Sequence, residues 1–216
     1  MVNFTVHGIG RPQRALDPGE DERWITVEQF DTLLDVVAKC PESRLTFDDG
    51  NISDVEVALP RLVQRGLRGE FFPLAGRVGS RGFVDRAGLR SLVAAGMDVG
   101  SHGWDRFGAR RFEERVLRRE LDAAPRLLGE LSGRAVCRYS LSGRRVDRRV
   151  LGRLRAAGAT RVYAGSGPGS STVRGGEWLQ HRVEVRHDLD REWAEGVVVG
   201  RYGHRWPGRL TGLLAF

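Results

Sequence analysis

The sequence predicts an α/β fold, a parallel sheet wrapped by helices, and three observations lead there. Short apolar runs alternate with amphipathic stretches of helical period. Glycine, proline and capping residues fall where a strand or helix must end. The length of 216 residues suits one substantial core rather than two, so a single domain over 1–216 is expected.

The first apolar run, Phe4-Thr5-Val6-His7, is a strand. A helix then starts at Thr26, whose hydroxyl can cap while Gln29 reaches back; it buries Phe30, Leu33, Leu34, Val36 and Val37 and stops before Pro41. The second strand, Arg44-Leu45-Thr46-Phe47, runs into Asp48-Asp49-Gly50. The next helix, from Ser53 or Asp54, turns Val55, Val57, Leu59, Leu62 and Val63 inward until Gly66 ends it. Gly69 to Leu74 forms the third strand, and a helix capped near Asp85 and closed by Gly96 precedes the short strand Met97-Asp98-Val99, which delivers Gly100-Ser101-His102. A long helix from about Phe112 to Leu131 leads to a strand at Ala135-Val136-Cys137-Arg138, and Asp147 can cap a helix ending at Gly158. Arg161-Val162-Tyr163 is a further strand. The stretch 165–171 reads as a rim loop, because no Gly-Lys-Ser/Thr element or helix start follows it, as a phosphate cradle requires. The strand pattern resumes from Trp178 to Val183.

Composition narrows the function. Forty per cent apolar and 29 per cent charged residues are ordinary for a soluble chain, and no stretch approaches the roughly 18 apolar residues of a membrane span. The N-terminus lacks a basic start, an apolar region and a cleavage site, so a cytoplasmic location is expected. Cys40 and Cys137 stand far apart without C-x-x-C spacing and read as buried thiols rather than a disulfide scaffold or a Cys-rich zinc site. A net charge of +7 raises nucleic acid as a partner. Yet Lys39 is the only lysine, and the arginines alternate with acids at helical spacing from Arg110 to Glu120, so a solvated, salt-laced helix is favoured and nucleic acid is not an expected partner. Nothing in the sequence fixes an oligomeric state.

In a parallel α/β fold, reactive groups collect at the C-terminal ends of strands. Two such ends carry chemistry here. Thr46-Phe47-Asp48-Asp49-Gly50 sets adjacent carboxylates where successive side chains point apart and a glycine lets the chain turn, so one acid can face a metal and the other an attacking water. Gly100-Ser101-His102-Gly103-Trp104-Asp105 sets an imidazole at another end, with an aromatic wall behind it. A carboxylate and a histidine converging from neighbouring strands are reasonable ligands for zinc or a similar ion. Each also has a plainer reading, since Asp-Asp-Gly is a frequent turn and a lone histidine commonly satisfies backbone groups.

Leu45-Thr46-Phe47-Asp48-Asp49-Gly50 resembles the first signature motif of the polysaccharide deacetylase, or NodB-homology, family, and the spacing to Gly100-Ser101-His102 is similar too. The helix ending in Arg65-Gly66-Leu67, the strand Glu70-Phe71-Phe72, the approach Ala94-Ala95-Gly96-Met97 and the opening Thr5 to Ile9 keep the family's order, so the resemblance covers most of residues 1 to about 165. It implies a distorted (β/α) barrel of about seven parallel strands and hydrolysis of an N-acetyl, less often O-acetyl, group on an amino sugar or polysaccharide. It also implies Asp48 as general base, Asp49 as carboxylate ligand of a divalent metal, zinc first among them, and His102 as the first histidine ligand. Trp104, Arg106, Arg138 and Tyr139 are then expected to contact the N-acetylated sugar.

Three departures accompany the resemblance. The second metal-binding histidine falls on Arg106, which has no lone pair to give, so Asp105 is the candidate replacement ligand. In the family's R-x-P-aromatic-G segment, aligning Gly143 puts Leu141 at the proline and Ser142 at the aromatic position, with Arg138 one residue out of step; Ser142 can keep the oxyanion role through its main-chain N–H. The closing motif should lie near Val197 to Gly200, but Arg201 holds the histidine slot, leaving His204, His187 and His181 as candidate acids. Two functions are open: a metal-dependent deacetylase, or a catalytically degenerate barrel that binds carbohydrate or protein.

Overall fold

The computed structural model describes residues 2–105, 113–141, 148–164 and 177–201. Asp147, the 165–171 stretch, Arg106, Ser142 and His204 lie outside the described residues.

In chain order the elements are β1 (Val2–Val6), β2 (Gly8–Ile9), β3 (Trp24–Ile25), α1 (Val27–Ala38), β4 (Ser43–Asp49), α2 (Leu59–Gln64), β5 (Gly69–Pro73), α3 (Arg86–Ala94) and β6 (Asp98–Val99). They continue with α4 (Glu114–Arg118), α5 (Ala124–Ser132), β7 (Arg138–Ser140), α6 (Arg148–Ala156), β8 (Arg161–Ala164), β9 (Leu179–His181), β10 (Val183–Glu184) and α7 (Arg191–Val198).

One sheet runs β10-β1-β4-β5-β6 and another β7-β8-β9, all in parallel. A parallel bridge between Ser101 and Tyr139 joins them on one side. On the other, β9 and β10 are one strand interrupted at Arg182. Counting that pair as one, seven parallel staves among the described residues form a distorted barrel, as the family resemblance implied. The small β2–β3 pair sits beside the β1 end.

The outward faces of the staves and the helices make the apolar core. Phe47 stacks on Phe71 at 4.4 Å and meets the edge of Phe30 from α1, while Phe4 meets Trp193 from α7. Truncating a fully buried ring of this kind costs about 3–5 kcal/mol. A second cluster, including Leu117, Leu121, Tyr139, Val150 and Leu154, packs α4 and α6 against β7 and β8. The inward faces are polar instead. The register Thr5↔Thr46↔Glu70 puts three polar side chains at one level, and strand alternation makes Asp48 follow Thr46 on the same face. At the N-terminal ends of the staves, Glu70 Oε1 accepts from Tyr163 Oη at 3.0 Å and from Arg161 Nη1 at 2.8 Å, and Arg138 pairs with Glu70 and Asp98. Burial, followed by the charge of Glu70, pushes the Tyr163 phenol up to about 12.

Local sequence explains most boundaries. Thr26 and Gln29 form a reciprocal capping box on α1, and the five expected apolar residues of that helix are buried. Asp85 caps α3 through the Gly88 N–H. Two helices differ from expectation for one reason. Pro60 and Pro125 each remove a backbone donor near a helix start, and each is preceded by a wider π-helical turn, at Asp54–Ala58 and Arg119–Ala123. The extra residue in the first of these turns rotates α2 about its axis, so Val63, expected inward, is 54% exposed. The strand expected at 135–138 starts only at Arg138, since its partners Arg161 to Tyr163 lie opposite Arg138 to Ser140. Val197 and Val198, where the closing motif was expected, belong to a helix capped by Asp190. Cys40 and Cys137 are half-buried free thiols. Among the described residues no helix is long and apolar enough to cross a membrane.

Candidate functional site

β4 extends through both acids and ends in a sharp turn. Asp48 keeps the inward direction of Thr46, whereas Asp49 adopts a left-handed backbone with φ 74°, a conformation that costs a non-glycine residue about 1–3 kcal/mol. Gly50 follows at φ 74°, and a Cβ there would lie 2.6 Å from that of Pro73. The turn therefore admits no side chain at residue 50, and it aims both carboxylates at the barrel mouth.

His102 arrives from the neighbouring stave. A Cβ on Gly100 would sit 2.3 Å from the Phe72 ring, so this glycine allows the segment to close against β5. The His102 N–H donates to the Pro73 carbonyl at 3.1 Å, and its Nδ1 lies 2.9 Å from the Ser140 carbonyl. A carbonyl only accepts, so Nδ1 carries a proton, and in the neutral ring Nε2 presents a lone pair. That lone pair faces Asp49 Oδ1 at 3.7 Å and Asp48 Oδ2 at 3.8 Å. His102 Nε2 thus lies within 3.8 Å of a carboxylate oxygen from each acid.

Arg182, which the sequence reading did not single out, turns inward at the seam between β9 and β10. Its guanidinium grips both oxygens of Asp48 at 2.8 Å, also donates to Ser140 Oγ at 2.8 Å, and is 3% exposed. Ser140 Oγ donates in turn to Asp48 Oδ2 at 3.0 Å. Burial pushes the Asp48 carboxyl up, but the charge and hydrogen bonds of the Arg182 guanidinium outweigh it and hold Asp48 well below the usual carboxylate range. The signal for Arg182 was the alternation His181-Arg182-Val183-Glu184-Val185, the same inner-polar, outer-apolar pattern as β1 and β4.

Three more ionisable groups border this cluster. His7 is 5% exposed, and its Nε2 meets Arg23 Nη1 at 3.4 Å; burial lowers its pKa to about 4 against the pull of Asp49 and Asp48. Asp54 is buried on the turn after β4, and burial followed by the charges of Asp49 and Asp48 pushes its carboxyl well up. Glu184 is half-buried on β10 and is raised by burial first, with Arg23 and Arg182 opposing.

The other candidate residues fall elsewhere. Asp105 is paired with Arg77 at 3.5 Å and Arg119 at 2.9 Å on the rim, and is not brought together with His102 and Asp49. Trp104 packs against the main apolar core; its backbone N–H donates to Glu120 Oε2, and its ring carries the Arg119 guanidinium at 5.0 Å. Arg138 sits in the network at the N-terminal ends of the staves, and Tyr139 faces the outer apolar cluster, so neither reaches the mouth. His187 is bonded to the Glu22 carbonyl, and His181 lies on β9 with its carbonyl accepting from Asn3.

The donors present suit a divalent ion in part. Bonds of about 2.0–2.2 Å from an imidazole and a carboxylate can meet across a gap such as the 3.7 Å between His102 Nε2 and Asp49 Oδ1. The Nδ1–carbonyl bond of His102 is the usual outer support of a metal-binding histidine. Among the described residues, no group of three His, Cys, Asp or Glu side chains is placed to hold an ion.

A family model described as Polysaccharide deacetylase matches residues 36–162, more than half of the chain. Solved structures of similar fold include IcaB from Ammonifex degensii, 20% identical with TM-score 0.68, covering 90% of this chain and 96% of that one. Streptococcus pyogenes deacetylase PplD in complex with acetate is 15% identical with TM-score 0.70, covering 89% and 95%. BC0361, a polysaccharide deacetylase from Bacillus cereus, is 15% identical with TM-score 0.75, covering 91% and 68%. At these identities the likeness is one of fold. No curated protein matches the sequence.

Proposed function

The chain belongs to the polysaccharide deacetylase family, and from that premise we propose that it is a metal-dependent hydrolase removing an acetyl group, N-acetyl first, from an amino sugar or its polymer. The observation that carries the reading is the convergence of Asp48, Asp49 and the His102 lone pair within 3.8 Å at one mouth.

Asp49 and His102 are the residues that would hold the ion, with zinc favoured by the carboxylate and imidazole donors. Bound there, such an ion polarises an acetyl carbonyl and acidifies water. Asp48 stays ionised because Arg182 and Ser140 donate to it, and those bonds fix the direction in which it can accept a proton from water. The Ser140 carbonyl holds His102 in the tautomer that leaves the Nε2 lone pair facing the acids.

Protein purified without chelator is expected to carry a divalent metal and to release acetate from N-acetylated sugars. Asp48→Asn should lower the rate by about 100-fold or more, and His102→Ala should lose metal as well as activity. Equal acetate release by all three proteins would refute the assignment.

A second reading, a carbohydrate-binding barrel without catalysis, has one observation in its favour: both Asp48 oxygens are engaged by Arg182, and no third ligand joins Asp49 and His102 among the described residues. It predicts calorimetric binding of the same sugars with no acetate release.

A further inference from the structure

Beside the mouth, a cavity of about 460 Å³ opens between residues 14–17 and the loop 74–83, with Asp105 on its rim. Its walls are tied to both halves of the site. The Leu74 N–H donates to the Asp49 carbonyl at 3.3 Å, the Val84 N–H donates to the Gly50 carbonyl at 2.9 Å, and Phe83 is bridged to Asn51. On the His102 side, the Ala75 and Gly76 N–H groups donate to the Gly103 and Trp104 carbonyls at 2.9 and 2.8 Å. The backbone that presents Asp49 and His102 therefore also holds this cavity.

The arginines that line it play two different parts. Arg14 belongs to the wall: its guanidinium donates to Glu20, Asn51 and the Ala15 carbonyl, and the buried Glu20 cancels its charge. Arg77 and Arg81 are exposed, and among the described residues neither the Nη groups of Arg77 nor the side chain of Arg81 donates a hydrogen bond. Asp105 is met by Arg119 at 2.9 Å and only at 3.5 Å by Arg77 Nε. With Arg119 set against Asp105, Arg77 and Arg81 exceed Asp17, the other acid of the lining, by one positive charge. Phe83 lies between Arg14 and Arg77, 4.6 and 5.8 Å from their guanidinium carbons, and gives the cavity an apolar side.

A guanidinium with idle donors matches a carboxylate, whose two oxygens accept parallel N–H bonds, and one surplus charge matches one carboxylate rather than a doubly charged phosphate. Resting on the deacetylase reading, we propose that this cavity is a subsite for a carboxylate-bearing sugar ring next to the N-acetylated one, with Arg81 and Arg77 as its donors. The substrate is then an acidic saccharide, one that carries uronic acid beside its acetamido sugar.

The test uses a hexasaccharide of alternating glucuronic acid and N-acetylglucosamine, and the same hexasaccharide with its carboxyl groups reduced to alcohols. In the wild type, kcat/KM for acetate release should be about tenfold higher for the acidic form, and calorimetry should show a similar preference in binding. Arg81→Gln should bring both ratios to within about twofold of one, whereas Arg81→Lys, which keeps the charge, should hold an intermediate ratio. Because each ratio is taken within one protein, a general loss of folded protein does not alter it. A wild type that treats the two forms alike, or an Arg81→Gln protein that keeps the full preference, overturns the subsite and leaves the deacetylase reading standing. Preferential binding of the acidic form that is lost in Arg81→Gln, with acetate released from neither form, supports the subsite and overturns the deacetylase reading.

Discussion

Two clusters of charge share the inside of this barrel, and they are built to opposite ends. At the N-terminal ends of the staves, Glu70 faces Arg161, Arg138 and the Tyr163 hydroxyl, and Arg138 also faces Asp98, so each charge meets an opposite one. At the mouth, Asp48 has its guanidinium, and Asp49 Oδ1 lies 3.7 Å from His102 Nε2. Tyr163 separates the two: its hydroxyl bonds Glu70 and its ring lies 5.6 Å from the Arg182 guanidinium. Local cancellation suits a structural clamp. Acceptors gathered at the open end suit chemistry, in keeping with where α/β barrels place their sites.

The sharpest way to break this contrast is Arg182→Met. It strands Asp48 as a buried carboxylate, so unfolding in urea should show a loss of about 3–5 kcal/mol, and acetate release should fall by about 100-fold or more. Adding Asp48→Asn should restore much of the stability and none of the activity.

Next in size is the pH response of His7. Its pKa is about 4 in the folded protein against 6.5 for the free group, so between these values the unfolded chain binds a proton that the folded one does not. Acidification through that window therefore favours unfolding, by about 3 kcal/mol when complete. His7→Gln should show a smaller change in urea midpoint between pH 7 and pH 4.5 than the wild type.

Glu70→Gln probes the other cluster. With Glu70 10% exposed and its arginine partners 22% and 28%, the expected cost is about 1–3 kcal/mol in thermal or urea unfolding, with kcat unchanged. A drop in kcat would show that the two clusters are coupled. The smallest effect belongs to Tyr163→Phe, which removes one hydrogen bond to Glu70 and should cost about 1 kcal/mol with no change in metal content.

Much of the scaffold was legible because local rules and the fold agree. Thr26 with Gln29, Asp85 before α3, and the apolar runs of β1, β4 and β5 all signalled what they form. The pair Asp48-Asp49 and His102 were legible because strand-end position and spacing select them. What escaped was long-range. Arg182 is one of many arginines, and nothing within its own segment says that Asp48, 134 residues earlier, is its partner. Arg138 was expected near the sugar from the family resemblance alone, whereas its guanidinium pairs with Glu70 and Asp98 at the far end. Val63 escaped because a π-helical turn ahead of Pro60 shifts the helical phase.

The seam between β9 and β10 has a consequence for biosynthesis. During translation Asp48 emerges early, yet the guanidinium that fixes its ionisation belongs to the last stave among the described residues, so the acid has to wait for that stave to leave the ribosome before it meets its partner. On the deacetylase reading, a chain shortened before Arg182 is therefore expected to release no acetate, because it lacks the guanidinium that holds Asp48.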